Sequence, residues 1–217
     1  MKKIRDMLNS IPVMERWSRS RKLGRLKRRY EKWQHSGGEL PLPHYGKQLV
    51  VAEYAKRFNM SVLVETGTYN GHMVMAMLDR FKEIFSIELD VTLCSNAQKQ
   101  FSRHHHVHIL QGSSDQVLPR ILPQINKPCL FWLDAHYSGG KTAKGELSTP
   151  IMKELDWIVR HPFAPNHVLL IDDARCFVGD DDYPTLAEVR DYLLGKLPGW
   201  VFEVRDDIIR VHAPMGS

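Results

Sequence analysis

A glycine turn that follows an apolar run is the part of this 217-residue chain best suited to hold a ligand. In residues 62–71 (VLVETGTYNG) the run ends in Glu65, and Gly67 and Gly71 follow four residues apart. Glycines let the backbone approach a ligand, and a helix that starts near Gly71 would offer unpaired amide groups. Glu65 or Thr66 could bond polar groups of the same ligand. The segment therefore predicts a nucleotide-like cofactor at the carboxyl end of a parallel strand.

The glycine spacing argues against a phosphate-binding loop. It is G-x-x-x-G, without the G-x-G-x-x-G of dinucleotide folds and without the lysine of a phosphate loop, so a pyrophosphate ligand is not expected. Residues 138–142 (SGGKT) resemble the end of such a loop, but its required first glycine would fall at Ala135. A nucleoside triphosphatase is therefore excluded.

Polar side chains end four further apolar runs. Residues 84–88 finish in Glu88, about 20 residues after the glycine turn, where a carboxylate can grip two ribose hydroxyls. The runs at 107–110, 130–134 and 168–172 lead into Ser114, Asp115, Asp134, His136, Asp172 and Asp173. Because the carboxyl ends of parallel strands meet at one edge of a sheet, we expect these side chains to line one crevice.

The elements that would position these residues alternate along the chain. Apolar periodicity predicts helices at residues 47–58, 71–80, 91–102, 114–122, 148–160 and 184–194. Strands that alternate with helices predict a parallel sheet covered on both faces. Residues 200–204 and 208–212 are separated by only three residues, which permits only an antiparallel hairpin. The predicted fold class is α/β, doubly wound and Rossmann-like, with a mostly parallel seven-stranded sheet that ends in this antiparallel hairpin.

Composition places the chain among ordinary globular proteins. Its residues are 43% apolar and 25% charged, and no apolar run approaches the roughly 20 residues of a membrane span. The first residues lack the apolar core of a secretory signal, and the three cysteines have no C-x-x-C spacing. We therefore expect a cytosolic protein with reduced thiols rather than disulfides or a zinc site.

The positive charge is concentrated at the amino terminus. Residues 1–33 carry 12 Lys or Arg against 3 acids, whereas the rest of the chain carries 18 against 22. We predict a basic amphipathic helical arm at residues 1–34, a glycine- and proline-rich linker at 35–46, and a folded domain at 47–217. Residues 1–33 either make peripheral contact with the inner face of a membrane or pack on the body or on a second subunit of a homo-oligomer. Nucleic acid is not an expected partner, because the body has no recognition module.

Taken in order, the motifs of residues 47–213 resemble those of S-adenosylmethionine-dependent O-methyltransferases. The resemblance is to class I enzymes of the metal-dependent branch, which includes the catechol and macrocin-type O-methyltransferases. It implies a methyltransferase domain in which the glycine turn surrounds the methionine part of the cofactor, Glu88 holds the ribose, and Ser114 with Asp115 lies at the adenine edge. The implied cofactor-binding residues are Glu65, Gly67, Thr68, Tyr69, Gly71, Glu88, Ser114 and Asp115.

The same resemblance implies a Mg²⁺ site at Asp134, Asp172 and Asp173. Mg²⁺ prefers oxygen ligands and keeps positions for water or substrate, and coordination lowers the pKa of a bound hydroxyl. The alternative for Asp172 and Asp173 is that they only cap the turn after a buried strand. Catechol O-methyltransferase has a lysine base three residues after its first metal carboxylate, whereas this chain has Tyr137. We therefore expect His136, or Asp134 itself, to accept the proton.

Two other segments have less direct interpretations. Residues 137–149 contain three glycines and are interpreted either as a lid whose Lys141 or Lys144 meets an anionic substrate group, or as an ordinary exposed loop. The histidines at positions 104, 105, 106 and 108 are expected to belong to a solvated turn rather than to a metal site.

The activity implied by the resemblance is methyl transfer from S-adenosylmethionine to a hydroxyl of a sugar, a glycan or another small-molecule natural product, with a divalent cation as Lewis acid. A phenol or catechol is the next acceptor to consider. Two functions of other kinds stay open at this point. One is a non-methylating reaction, such as a hydroxylation, on the same ligands, and the other is a non-catalytic membrane adaptor built around the arm.

Overall fold

The computed structural model describes residues 13–134, 149–180 and 182–214. Within them, seven strands form one sheet in the order β3-β2-β1-β4-β5-β7-β6. The five central strands run parallel, and β7 pairs antiparallel with both β5 and β6. The strands are β1 Val62–Thr66, β2 Glu83–Glu88, β3 Val107–Gln111, β4 Leu130–Leu133, β5 Val168–Ile171, β6 Val201–Arg205 and β7 Ile208–His212. The predicted fold class is thereby confirmed.

Seven helices accompany this sheet in the described part of the chain. They are α1 Val13–His35, α2 His44–Arg57, α3 His72–Met77, α4 Val91–Phe101, α5 Ser114–Ile121, α6 Ile151–Val159 and α7 Leu186–Lys196. Short 3₁₀ turns follow α5, precede β5 and follow β5.

Some boundaries differ from the sequence prediction for local reasons. Helix α2 begins three residues early, directly after Pro43, whose fixed φ suits the position before a helix. Helix α7 begins two residues later than predicted, because Thr185 and Glu188 form a reciprocal capping box. Strand β6 extends through Arg205, so the hairpin turn shortens to Asp206 and Asp207, both with positive φ as a two-residue type I′ turn requires.

The central strands of the sheet are buried on both faces. Helices α5, α6 and α7 pack on one face through residues such as Leu118, Leu155 and Leu193, and α2, α3 and α4 cover the other through residues such as Val51 and Met73. Two covered faces explain why β1, β4 and β5 are continuous apolar runs rather than alternating ones. The layers leave the carboxyl edge of the parallel strands as the place where polar side chains gather.

The basic helix α1 packs on the body through its apolar side chains. Leu23, Tyr30 and Trp33 contact the core cluster beneath α2, and the Tyr30 ring lies 5.5 Å from Trp33 and 5.6 Å from Tyr45 between centroids. A Cβ added to Gly46 would lie 2.9 Å from the Tyr30 ring, so the two helices approach closely. The segment that joins α1 to α2 is residues 36–43, shorter than the predicted linker. In the described residues, no helix is both long enough and apolar enough to cross a membrane.

Candidate cofactor and metal site

The glycine turn lies at the carboxyl end of β1 and is tied to β2. The backbone N–H groups of Gly67 and Thr68 both donate to the Ile87 carbonyl, at 2.9 and 3.1 Å. Gly71 has a φ of 65°, and a Cβ there would fall 2.7 Å from the Phe101 ring. Position 71 therefore requires glycine, both for its backbone conformation and for the close packing of α4. The turn leads into α3, which begins at His72.

Glu88 holds this turn in place. Its Oε2 accepts the Tyr69 N–H at 2.7 Å, and its Oε1 accepts the Asp90 N–H at 2.9 Å. The carboxylate thus joins the glycine turn to the start of α4, where Asp90 in turn accepts the Leu93 N–H. Each carboxylate oxygen can accept a second hydrogen bond, so Glu88 keeps the capacity to bind two hydroxyls of a ligand.

Glu65 is buried below the turn and belongs to a short polar chain. The Ser86 hydroxyl donates to Glu65 Oε2, and the Thr68 hydroxyl lies 2.6 Å from the Ser86 oxygen. Because Ser86 donates its proton to Glu65, Thr68 must donate to Ser86. Burial raises the pKa of Glu65 to about 8, although the Ser86 hydrogen bond opposes the shift. Thr68 therefore faces β2 from within the turn.

Three acidic residues meet beside the turn, at the ends of β4 and β5. Carboxylate oxygens of Asp134, Asp172 and Asp173 all lie within 4.8 Å of one another. The backbone N–H of Asp134 donates to the Thr66 carbonyl at 3.1 Å, which places the acid directly across from the glycine turn. Asp173 has a positive φ of 54°. Burial, reinforced by repulsion from Asp134, raises the pKa of Asp172 to about 8.

Lys47 is part of this acidic cluster, and the sequence interpretation missed it. Its ammonium donates to Asp172 Oδ2 and lies 3.5 Å from Asp173 Oδ1. Burial disfavours the charged form, but attraction to the carboxylates outweighs burial and raises the pKa of Lys47. The available signal was helical spacing, since Lys47, Val50, Val51 and Tyr54 occupy one buried face of α2. A lysine on such a face requires a buried acidic partner.

Arg175 links the acidic cluster to the hairpin between β6 and β7. Its Nη1 lies 2.8 Å from Asp173 Oδ1 and also donates to Asp207 Oδ2, while its backbone N–H donates to Asp207 Oδ1 at 2.9 Å. Asp207 belongs to the hairpin turn between β6 and β7. The antiparallel hairpin therefore fixes the orientation of an acidic residue at the end of β5.

The composition of the cluster fits a hard divalent cation. All three acids offer oxygen, with no sulfur or imidazole among the grouped ligand atoms, and this is the donor set that Mg²⁺ prefers. Asp172 Oδ1 is buried and has no hydrogen-bond partner within the described ranges. An uncompensated carboxylate oxygen in a buried acidic group is destabilising unless a cation or donor reaches it. Turn capping alone does not explain why three acids converge.

The two residues predicted at the adenine edge, Ser114 and Asp115, have different surroundings. Asp115 accepts from the Ser113 hydroxyl and forms an ion pair with Lys153 at 3.1 Å, so it ties α5 to α6. Ser114 is buried, and its hydroxyl finds no partner in the part of the chain that is described. Beside it lies Glu154 of α6, a buried acid that the sequence interpretation did not single out, whose pKa burial raises to about 7.

Other predicted features lie apart from this edge or outside the described ranges. His136 and all but the last residue of the predicted lid fall outside the described residues, so the proposed general base is not located. His106 and His108 lie at the opposite edge, where their ring nitrogens contact the Leu78 carbonyl at 3.0 Å and Glu83 at 2.8 Å.

Comparisons with known proteins agree with this geometry at the level of fold. Neither a family model nor a curated protein matches the sequence. Among solved structures, the O-methyltransferase from Bacillus cereus in complex with S-adenosylhomocysteine has a TM-score of 0.57 at 11% identity, over 87% of this chain and 88% of that chain. The S-adenosylhomocysteine-bound methyltransferase PaMTH1 from Podospora anserina has a TM-score of 0.54 at 16% identity, over 85% and 86%.

A third neighbour is TomG from Streptomyces achromogenes, an O-methyltransferase involved in tomaymycin synthesis and solved with S-adenosylmethionine, with a TM-score of 0.54 at 15% identity over 86% and 87% of the two chains. The chain shares the fold of these methyltransferase structures. At these identities the likeness concerns the fold, and the assignment of individual side chains rests on the local geometry described above.

Proposed function

We propose that this protein is an S-adenosylmethionine-dependent O-methyltransferase that uses Mg²⁺ or a similar divalent cation. The observation that carries the proposal is the meeting of a glycine turn and a three-acid cluster at one edge of a methyltransferase-like sheet. The Asp134 backbone bonds directly to the end of β1, so the proposed cofactor and metal positions are adjacent. Solved structures with this fold and a bound cofactor support the same conclusion.

Each part of the edge has a proposed task. The glycine turn would hold the methionine part of the cofactor, Glu88 the ribose, and Ser114 the adenine, while Asp134, Asp172 and Asp173 would bind the cation. When bound, the cofactor would supply an electrophilic methyl group and the cation would lower the pKa of an acceptor hydroxyl. Lys47 and Arg175 would keep the acids oriented. Holding the acceptor hydroxyl and the methyl group in reacting geometry can contribute up to about 7–11 kcal/mol to a rate enhancement.

We propose a hydroxyl-rich acceptor, a sugar or glycan, in preference to a phenol. His44, at the start of α2, interacts electrostatically with Asp134 and Asp173, and its ring centroid lies 5.8 Å from that of His72. Together with Lys47, these side chains give the described wall of the acidic cluster a polar character. A planar aromatic acceptor would favour apolar walls, whereas a sugar needs donors and acceptors. Proton removal by His136, or by an Asp134 carboxylate oxygen, belongs to the same proposal.

The decisive experiment measures methyl transfer and cofactor binding separately. The purified protein is incubated with methyl-labelled S-adenosylmethionine and a panel of oligosaccharides, nucleotide sugars and catechols, with Mg²⁺ or with chelator, while calorimetry records binding of S-adenosylhomocysteine. We expect label in a sugar product only with the metal. The Asp191→Asn variant, which alters an exposed acid on α7, is a matched control and should behave as wild type.

Other outcomes separate the remaining functions. Failure of the wild-type protein to bind S-adenosylhomocysteine would reject the methyltransferase proposal. Full activity after chelation would reject the metal alone. A product that gains oxygen without methyl label would favour hydroxylation.

We also propose a cytosolic location in which α1 supplies any contact with an anionic membrane through charge. The apolar side chains of α1 pack on the body, while Arg25, Lys27 and Arg28 are exposed. Cations near an anionic surface contribute about 1 kcal/mol each. Sedimentation with vesicles containing phosphatidylserine should therefore decrease when these three residues are changed together to Gln. Equal sedimentation of both forms would count against membrane contact through α1, and against the adaptor function with it.

A further inference from the structure

Lys47 contacts the acidic cluster in a directional way. Its ammonium donates to Oδ2 of Asp172, and the same nitrogen lies 3.5 Å from Oδ1 of Asp173. The other oxygen of Asp172, Oδ1, is buried and has no hydrogen-bond partner among the described residues. The Asp172 carboxylate therefore has one oxygen that is occupied by a cation of the protein itself and a second oxygen that is still unpaired.

Asp173 is contacted by basic side chains in a similar way. Its Oδ1 lies 2.8 Å from Arg175 Nη1 and 3.5 Å from Lys47 Nζ, so both basic groups contact the same oxygen. Each acid of the cluster, Asp134 included, offers one oxygen to the group whose atoms all lie within 4.8 Å of one another. An ion that also used an oxygen occupied by Lys47 or Arg175 would lie against a positive charge, which Coulomb repulsion disfavours. The arrangement therefore favours one oxygen from each acid.

The packing of α2 fixes the position of Lys47. On the same face of this helix, Val51 and Tyr54 are fully enclosed in the core. The start of the helix is held as well, since a Cβ added to Gly46 would fall 2.6 Å from the Leu42 side chain. Lys47 itself is only 9% exposed. Its ammonium is therefore held against Asp172 by a rigid element, unlike that of a surface lysine.

Divalent cations differ in how they use carboxylates. Mg²⁺ requires a nearly octahedral set of oxygens at about 2.0–2.1 Å and keeps several waters. Ca²⁺ takes about 6–8 oxygens at about 2.3–2.6 Å, and it can gain them by binding a carboxylate through both oxygens. Three acids that offer one oxygen each fill half of an octahedron and leave the other half for water or a hydroxyl. The same three oxygens are a poor ligand set for the larger ion.

We propose that Lys47 limits Asp172 to a single metal-binding oxygen and thereby makes the acidic cluster prefer a small octahedral dication over Ca²⁺, an inference that rests on the proposed function. A structural ion pair alone does not account for the arrangement, because neutralisation of charge leaves the unpaired Asp172 Oδ1 unexplained. Lys47 is thus a specificity residue for the ion, and it comes from helix α2 rather than from a strand end. Arg175 acts on Asp173 in the same sense.

Displacement of Mn²⁺ tests this inference without cofactor or acceptor. Electron paramagnetic resonance follows the binding of Mn²⁺, and titration with Mg²⁺ or Ca²⁺ then gives the dissociation constant of each competing ion. We expect the wild-type protein to bind Mg²⁺ more tightly than Ca²⁺. In Lys47→Met this preference should fall at least about fivefold, equal to about 1 kcal/mol, because the larger ion can then use both oxygens of Asp172. Loss of the lysine charge favours both dications to the same degree and cancels in the ratio.

The matched control is Lys56→Met, which removes the same charge from an exposed position of α2 and should keep the wild-type ratio. If wild type binds Ca²⁺ as tightly as Mg²⁺ or more tightly, or if Lys47→Met keeps the full preference, the role of Lys47 is wrong while the function stands. If wild type binds no Mn²⁺, the proposed metal site is wrong and this inference falls with it. Calorimetry with S-adenosylhomocysteine on the same sample decides the methyltransferase proposal separately.

Circular dichroism checks that each variant folds before titration. Should Lys47→Met fail to fold, Arg175→Met carries the test, since the Arg175 side chain is 43% exposed and its removal takes away the nearer of the two contacts on Asp173 Oδ1. The preference for Mg²⁺ should then fall at least about twofold, because Asp173 can bind the larger ion through both oxygens. An unchanged ratio in Arg175→Met would overturn the inference.

Discussion

Both edges of the parallel sheet bury polar groups, and at the amino edge the groups beside β4 and β5 pair with one another. There, Cys129 N–H donates to His167 Nδ1 at 3.0 Å, and His167 Nε2 lies 2.9 Å from His161 Nδ1. His161 Nε2 lies 3.1 and 2.9 Å from the carbonyls of Leu122 and Ile125. Because Cys129 is the donor, His167 must carry its proton on Nε2 and donate to His161, whose own proton then reaches the carbonyls. Both rings are neutral and fully paired.

The carboxyl edge is arranged in the opposite way. It gathers acids whose pKa values burial raises, Glu65 and Asp172 to about 8 and Glu154 to about 7, and it leaves oxygens of Asp172 and Glu154 unpaired within the described ranges. A closed network stabilises a fold and offers nothing to a ligand. A buried network with unpaired oxygens is destabilising in the free protein, and those oxygens become paired when a cation or a donor binds. The difference teaches where to look for function in a buried polar cluster.

The largest expected effect comes from Asp172→Asn at the carboxyl edge. Loss of one of three proposed metal ligands should lower turnover by about 10³-fold, equal to roughly 4 kcal/mol, because the cation and the acceptor hydroxyl lose their orientation. Because the change also removes the buried partner of Lys47, the free energy of unfolding should fall as well, by up to about 3–5 kcal/mol. Label transfer and urea denaturation measure the two quantities. A variant that keeps its turnover but unfolds more easily would reverse the comparison of the edges.

His167→Ala should have the second largest effect, on stability rather than on ligand binding. The change leaves the Cys129 N–H and His161 Nδ1 unpaired and opens a small cavity next to Phe131, whose ring centroid lies 5.0 Å from the His167 ring. We expect a loss of about 2–4 kcal/mol in the free energy of unfolding, measured by urea denaturation. Calorimetry under folded conditions should show unchanged binding of S-adenosylhomocysteine. Weakened binding together with unchanged stability would contradict a purely structural amino edge.

The two edges also differ in how far the sequence could predict them. The carboxyl edge follows from strand order, since each apolar run ends in a chemically active residue, and Asp134, Asp172 and Asp173 were expected to converge. Lys47 and Glu154 reach the same edge from helices, where their position depends on packing between layers. The histidine pair at the amino edge was not recognised, because His161 and His167 meet only through the path of the segment between α6 and β5. Contacts of this kind depend on tertiary geometry that single-sequence periodicity does not contain.

The pH dependence of stability should carry the signature of the amino edge. Burial, with repulsion from His161, lowers the pKa of His167 to about 3. Between that value and about 6.5 the unfolded chain binds a proton that the folded protein refuses, so stability falls as the pH falls, by about 1.4 kcal/mol per pH unit. Urea denaturation from pH 7 to pH 5 should give slopes that differ by about one proton between wild type and His167→Gln, because the other titrating groups contribute equally to both proteins. Identical slopes would contradict a neutral, closed pair.

Glu65 should give a slope of the opposite sign. Its pKa is raised to about 8, so above its unfolded value of about 4.5 the folded protein binds a proton that the unfolded chain releases. This contribution to stability is present at low pH and is lost as the pH rises toward 8, by about 1.4 kcal/mol per unit. Glu65→Gln should remove it, and denaturation between pH 5 and 8 compares the two proteins. If Glu65→Gln lowers the free energy of unfolding by the same amount at pH 5 and at pH 8, the raised pKa of Glu65 does not contribute to stability and the prediction is wrong.

The smallest expected effect concerns the Glu83–His108 pair. Because this pair is bonded but exposed, it shows whether pairing stabilises the protein without burial. It resembles the amino-edge pair in bond length, at 2.8 Å, but its side chains are 46% and 40% exposed. Water screens exposed charges and pairs with either partner when the other is removed, so Glu83→Gln should change the free energy of unfolding by less than about 0.5 kcal/mol, and by still less in 1 M salt. A cost above about 1 kcal/mol would mean that histidine pairing itself, rather than enclosure, stabilises this sheet. Hydrogen-bond pairing, and not exclusion of water, would then be the property that distinguishes the two edges.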